Sequence, residues 1–174
     1  ELHTTKEKPF YDFNLEEPGE GMTLPVLTGA SFNLWDPDFG EPYAFANPKV
    51  IEDYLQKRRL KQVNTRSSAF FGMPAEWARD TATLPMHHPR IAFRDVARAT
   101  DTRTMLCALV SGNQTLVEKA PYLARRDASP TDEAFVLGVL SSRIFDWYAR
   151  RHVENRVSYG LLNSFPIPRP AADS

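Results

Sequence analysis

The sequence predicts an α+β domain in which short, mostly antiparallel strands are packed by two main helices. Two segments with helical spacing of apolar residues and a capping signal predict these helices, at about 48–62 and 130–152. Short apolar runs bounded by proline, glycine and asparagine predict the strands. The length of 174 residues and the hydrophobic fraction of 42% suit one domain of ordinary size with an arm.

The N-terminal part contains an acidic arm and the first strands. The alternating aromatics at 9–13 offer the arm one edge strand. Short strands are predicted at 24–27 and 31–35, and Pro25 and Pro37 place both of them at sheet edges. The predicted division of the chain is a linker or arm at 1–22, a main domain at 23–170 and a tail at 171–174.

The first helix has a recognisable start and a basic end. Asn47 can cap it, and Pro48 fits its first turn because the amide there has no partner within the helix. The apolar residues that share one helical face are Val50, Ile51, Tyr54 and Leu55. The basic residues at its C-terminal end, where the helix dipole favours cations, are Lys57, Arg58, Arg59 and Lys61.

Between residues 64 and 89 both helical and strand periodicity disappear. A loop of this length in a compact domain is usually functional or poorly ordered. The side chains suited to base edges or phosphates are Arg66, Trp77, Arg79, His87 and His88. Adjacent histidines on a strand would face opposite sides, which favours a loop or DNA-facing role over a metal site.

A hairpin is predicted from two apolar runs at 90–98 and 104–110 that flank a turn at 100–102. The single cysteine, Cys107, lies in the second run and is predicted to be a core residue. The arginines expected to point outward are Arg94, Arg98 and Arg103. They either contact DNA or hold the hairpin through ion pairs, and the candidate acids for such pairs are Asp95 and Asp101.

The second helix begins at a strong signal, with Ser129 as cap, Pro130 in the first turn and Asp132 at the third position. Its apolar residues keep a helical period over four turns and are predicted to form core. They are Phe135, Val136, Val139, Leu140, Ile144, Trp147 and Tyr148.

The net charge of −1 conceals three blocks. Residues 1–46 carry a net charge of −7, residues 47–128 carry +6, and residues 129–174 are neutral. The middle block is the candidate surface for a polyanion, with a solvated helix face and surface arginines as the alternative.

Several classes of chemistry lack a sequence signal. One cysteine makes neither an internal disulfide nor a structural zinc site. Glycine-rich nucleotide motifs and a Gly-x-Ser-x-Gly elbow are missing, so no catalytic residue and no metal ligand is assigned. No apolar run reaches the length of a membrane span and no signal peptide is visible, which predicts a cytoplasmic protein without membrane contact.

Three segments in the order 89–104, 134–151 and 161–168 resemble a known family. They are similar to the C-terminal target recognition domain, the TaqI-like specificity domain, of adenine-specific DNA methyltransferases from type II and IIG restriction-modification systems. The resemblance covers most of residues 24–170. It implies double-stranded DNA as a partner. The basic residues 57–61 are then expected to neutralise phosphates, and sequence-specific contacts are expected in the stretch 64–89.

The resemblance also implies what lies outside this chain. The family's cofactor-binding glycine motif and its Asn-Pro-Pro-Tyr catalytic motif are both missing here. Methyl transfer from S-adenosylmethionine then belongs to an upstream methyltransferase domain, with or without a fused endonuclease. This chain is expected to read DNA, to hold no cofactor itself and to be non-catalytic.

Two other classes of function stay open from the sequence. One is a protein-interaction domain of a larger complex, whose aromatic C-terminal tail docks a partner. The other is a small hydrolase whose catalytic triad assembles only in space.

Overall fold

Two small β-sheets and the helices packed on them give the α+β fold that the sequence predicts. The computed structural model describes residues 1–15, 17–68, 70–123 and 129–168. The strands are β1 (Tyr11–Asp12), β2 (Leu24–Leu27), β3 (Ala44–Ala46), β4 (Arg90–Phe93), β5 (Cys107–Val110), β6 (Thr115–Leu116) and β7 (Tyr122–Leu123). The α-helices are α1 (Pro48–Gln62), α2 (Ala75–Arg79), α3 (Pro130–Ser141), α4 (Arg143–Ala149) and α5 (Tyr159–Ser164).

The first sheet has the strand order β1-β3-β2-β6, with a parallel pairing between β2 and β6 and antiparallel pairings elsewhere. The strand at 24–27 is confirmed, but its expected edge position is wrong because β2 has neighbours on both sides. β6 pairs only with Val26 and Leu27, so Pro25, which has no amide proton, stays outside that pairing. The strand expected at 31–35 is instead a loop.

The acidic arm packs against this sheet over residues 1–15. Leu2 is 1% exposed, and its amide donates to the Leu116 carbonyl at 2.9 Å. The edge strand foreseen near residues 9–13 is β1, which pairs with β3. These contacts make the beginning of the chain part of the folded unit.

The second sheet has the order β5-β4-β7 and contains the predicted hairpin, β4 paired antiparallel with β5. Its core lies between the sheet and the helices α3, α4 and α5. Buried members include Ile91, Phe93, Met105, Leu140 and Phe145, and Cys107 is fully buried as predicted. Burial raises the pKa of the Cys107 thiol to about 11.

The first predicted helix is confirmed as α1, with Asn47 accepting hydrogen bonds from the Lys49 and Val50 amides. The second predicted helix is interrupted at Ser142, whose backbone is extended and whose hydroxyl accepts a hydrogen bond from the Phe145 amide. That hydroxyl caps a new helix, α4, and so ends α3. In the described residues, no helix combines the length and the hydropathy needed to cross a membrane.

The break changes which apolar residues form core. Leu140 and Phe145 are buried, but Ile144 is 82% exposed and Trp147 is 57% exposed. The prediction of a single buried face from 135 to 148 is therefore wrong at these two positions, because α4 does not continue the path of α3.

Candidate nucleic-acid interface

The basic end of α1 exposes three of the four cations predicted there. Lys57, Arg58 and Lys61 are exposed, and none of them has a carboxylate within ion-pair distance among the described residues. Arg58 donates one hydrogen bond, to the Glu1 carbonyl at 2.8 Å. Their charges lie near the C-terminal end of the helix, where the helix dipole favours cations.

Arg59, the fourth predicted cation, is 2% exposed. Its guanidinium donates to the Ala78 carbonyl at 3.2 Å and to the Asp80 carbonyl at 2.6 Å. It also donates to the Thr83 hydroxyl and lies 4.6 Å from the centroid of the Trp77 ring. The expected exposure of Arg59 is therefore wrong, because this residue ties α1 to the segment that follows it.

The expected loop at 64–89 contains α2 and two turns of 3-10 helix, Thr81–Thr83 and Pro85–His87. Arg66 and Arg79 are exposed, without a carboxylate in ion-pair distance in the described parts of the chain. The Gln56 amide donates to the Arg79 carbonyl at 2.6 Å, which fixes α2 beside α1. Trp77 is less accessible than Arg66 and Arg79, because the Arg59 guanidinium lies over its ring.

The two histidines have different surroundings. His87 is partly buried, with its Nε2 atom 3.3 Å from Glu52 and its Nδ1 atom 3.4 Å from Asn113. His88 is exposed, and its Nε2 atom lies 2.8 Å from the Ala82 carbonyl. His88 is thus the more accessible of the pair.

The hairpin arginines also differ in their exposure and in their hydrogen-bond partners. Arg94 donates to the Gly29 carbonyl at 2.7 Å, and Arg103 donates to the Ser141 carbonyl at 2.6 Å. The outward orientation expected for both is wrong, because main-chain carbonyls of other segments bind their guanidinium groups. Arg98 is exposed as predicted.

The expected acidic partners of these arginines also differ. Asp95 accepts two hydrogen bonds of 3.1 Å from Arg156, and Asp101 accepts the backbone amide of Arg98 at 2.8 Å. The carboxylate near Arg103 is that of Asp146, at 3.8 Å.

Asp146, 5% exposed, joins α4 to the segment before β5. Its Oδ1 atom accepts the Thr104 and Met105 amides, both at 2.8 Å, and its Oδ2 atom accepts Arg150 Nε at 3.0 Å. Burial alone would raise the pKa of Asp146, but these hydrogen bonds and the charge of Arg103 hold it below its usual value.

A cleft of about 1270 Å³ lies beside the basic end of α1. Six residues that describe its lining are Leu55, Arg58, Phe70, Trp77, Arg90 and Tyr122. Arg90 is 3% exposed and donates to the carbonyls of Pro85, His88 and Gln114. Burial lowers the pKa of Arg90 to about 10. The sequence interpretation missed its position, since a strand-initial arginine carries no signal for burial.

Groups suited to other chemistry are sparse in the described residues. No cluster of three or more His, Cys, Asp or Glu side chains there could hold a metal ion. The Cys107 thiol contacts the Ser141 hydroxyl at 3.4 Å and no histidine. In the C-terminal tail, Phe165 is 6% exposed and packs on Phe145 and Tyr148, so this aromatic ring belongs to the core.

Comparisons with known proteins give no relative. No family model, no curated protein and no solved structure matches this chain.

Proposed function

We propose that this chain is a double-stranded DNA recognition module of a restriction-modification adenine methyltransferase. The observation that carries the proposal is the division of its cations into two groups. Arginines such as Arg59, Arg90, Arg94 and Arg103 are bound by main-chain carbonyls of other segments. In contrast, Lys57, Arg58, Lys61, Arg66 and Arg79 are exposed and without ion pairs among the described residues, and of these five Arg58 donates to the Glu1 carbonyl. Uncompensated cations gathered on one helix end and its neighbouring segment fit a polyanion.

In this proposal Lys57, Arg58 and Lys61 bind phosphates and set the position of the duplex. Base reading falls to accessible side chains of the 64–89 segment, chiefly Arg66, Arg79 and His88, because Trp77 is held by Arg59. The upstream methyltransferase domain flips the adenine and transfers the methyl group from S-adenosylmethionine. The segments that form the second sheet, α3 and α4 resemble target recognition domains. This resemblance supports assigning DNA recognition to this chain and methyl transfer to the upstream domain.

The test is the salt dependence of binding to a fluorescent DNA duplex of random sequence. Each phosphate contact that is lost should reduce the slope of log affinity against log salt by about 0.9. The variant Lys57→Gln/Arg58→Gln/Lys61→Gln should therefore bind more weakly with a slope reduced by about two to three. The matched control is Lys6→Gln/Lys8→Gln/Lys119→Gln, which removes the same charge elsewhere.

Two results would reject the proposal. One is a wild-type chain that does not bind the duplex even at about 50 mM salt. The other is an equal change of slope in both triple variants, which would reduce the effect to net charge.

A further inference from the structure

The loop at 28–41 exposes two large aromatic side chains. Trp35 is 57% exposed and Phe39 is 58% exposed. Trp35 also has a φ of 63°, which bulky residues rarely adopt, and Asn33 and Asp36 exchange main-chain hydrogen bonds around it at 2.7 and 3.1 Å. The exposed acids that flank the aromatics are Asp36, Asp38 and Glu41.

The rest of the protein holds this loop in place. Arg94 donates to the Gly29 carbonyl at 2.7 Å and to the Phe32 carbonyl at 3.3 Å. The Gly40 amide donates to the Ser31 carbonyl at 3.1 Å and closes the loop at its base. A Cβ atom on Gly29 would lie 2.7 Å from a main-chain oxygen, so only glycine fits there. The aromatics are thus presented on a fixed support, which reduces the entropy cost of binding.

An apolar groove of about 520 Å³ lies on α3, α4 and the segment after α5. Residues that line it include Phe135, Val139, Ile144, Tyr148 and Pro166. Two exposed arginines on α4 and just after it, Arg143 and Arg151, have no ion pair in the described parts of the chain. Arg143 directly precedes the groove residue Ile144 in the chain, and the Arg151 guanidinium lies 4.0 Å from the centroid of the Trp147 ring on α4.

The loop and the groove border the same core. Leu34, next to Trp35, packs on the cluster that includes Leu137 and Phe145. The Trp35 amide donates to the Cys107 carbonyl at 3.3 Å, and the Cys107 thiol contacts α3. The loop and the groove are therefore both supported by this one core cluster.

We propose that two copies of this chain form a symmetric dimer in which each loop inserts Trp35 and Phe39 into the groove of the other copy. The charges are complementary, since Asp36 and Asp38 approach Arg143 and Arg151 in this arrangement. A twofold axis satisfies both contacts at once and closes the assembly. Tryptophan is among the residues that most often dominate binding energy at interfaces. Neither the loop nor the groove includes a residue of α1, so this contact uses other residues than the proposed DNA-binding surface.

Sedimentation equilibrium of the full chain over a range of concentrations tests the proposal. We expect a monomer–dimer equilibrium, and Trp35→Ala and Ile144→Glu should each raise its dissociation constant by about 30-fold or more. Phe71→Ala is the matched control, because Phe71 is 51% exposed on the segment after α1 and should leave the equilibrium unchanged. All three positions are exposed, so melting temperatures should stay close to that of the wild type.

Mixing the two variants distinguishes the proposal from a general loss of solubility or folding. Trp35→Ala keeps its groove and Ile144→Glu keeps its loop, so a mixture should form a heterodimer through one intact contact. If Ile144→Glu lowers the melting temperature, Arg143→Glu is used in its place. Arg143→Glu should weaken the dimer, and Asp36→Arg on the other copy should restore binding because it reverses both charges of the pair. A monomer at every concentration, a dimer indifferent to both variants, or a mixture without heterodimer would each overturn the proposal.

Discussion

Replacing Asp146 should cost more stability than replacing any exposed carboxylate of this chain. Asp146→Asn keeps an oxygen for the Thr104 and Met105 amides, but it removes the negative charge between Arg103 and Arg150. Removing one partner of a buried ion pair typically costs about 3 to 5 kcal/mol. Because the side chains of Arg103 and Arg150 are partly exposed, we expect about 2 to 4 kcal/mol here.

The effect should depend on pH in a defined direction. The folded state holds the pKa of Asp146 below the usual value of 3.8, so its ionised form stabilises the protein at neutral pH. This contribution is lost as the pH falls below 3.8 and through the folded-state pKa. The difference between wild type and Asp146→Asn should therefore be full at about pH 7 and should shrink in acid.

Urea unfolding followed by circular dichroism at neutral and acidic pH measures these differences. Asp146→Ala should cost more than Asp146→Asn, because two buried amides also lose their acceptor. Glu154→Gln is the matched control, an exposed carboxylate on the segment after α4. A loss below about 1 kcal/mol for Asp146→Ala, or an equal loss for the control, would refute the reasoning.

Three further predictions concern burial. Arg59→Met should lower the free energy of unfolding by about 2 to 4 kcal/mol because buried carbonyls lose their donor. The control Lys57→Gln should change it by less than about 0.5 kcal/mol. Equal losses of the two variants in urea unfolding would contradict this assignment. Phe145→Ala should cost about 3 to 5 kcal/mol and Trp147→Ala less than about 1 kcal/mol, which thermal unfolding can compare, and the reverse order would disprove the helix break. Cys107 should resist iodoacetamide at about pH 8 until denaturant is added, since burial raises its pKa to about 11, and rapid labelling of the native protein would disagree.

The elements that the sequence predicts correctly have local signals. Asn47 and Pro48 mark the start of α1, and two apolar runs that flank a turn predict the hairpin of β4 and β5. The helix break at Ser142 escapes prediction because the apolar spacing continues across it. Only the tertiary environment decides that its hydroxyl caps a new helix.

The candidate site is harder to predict because arginine partners are distant in sequence. Arg94 binds a carbonyl 65 positions away, and Arg103 binds one 38 positions away. The hydrophobic periodicity of a segment gives no information about contacts between residues so far apart in the chain. Arg59 did have a signal, since it falls four positions after Leu55 and eight after Ile51, on the apolar face of α1.

The pairing of the first residues with β6 and its surroundings has a consequence for how the protein folds. Thr4 binds Glu118, 114 positions away in the chain, and β2 pairs in parallel with β6. Closing such long loops slows folding, which places this domain nearer milliseconds to seconds than microseconds. During synthesis at about 5–20 residues per second, β2 can pair with β3, but its other edge stays unpaired until Leu116 in β6 has left the ribosome. For several seconds this unpaired edge is accessible to chaperones and to exposed strands of other chains.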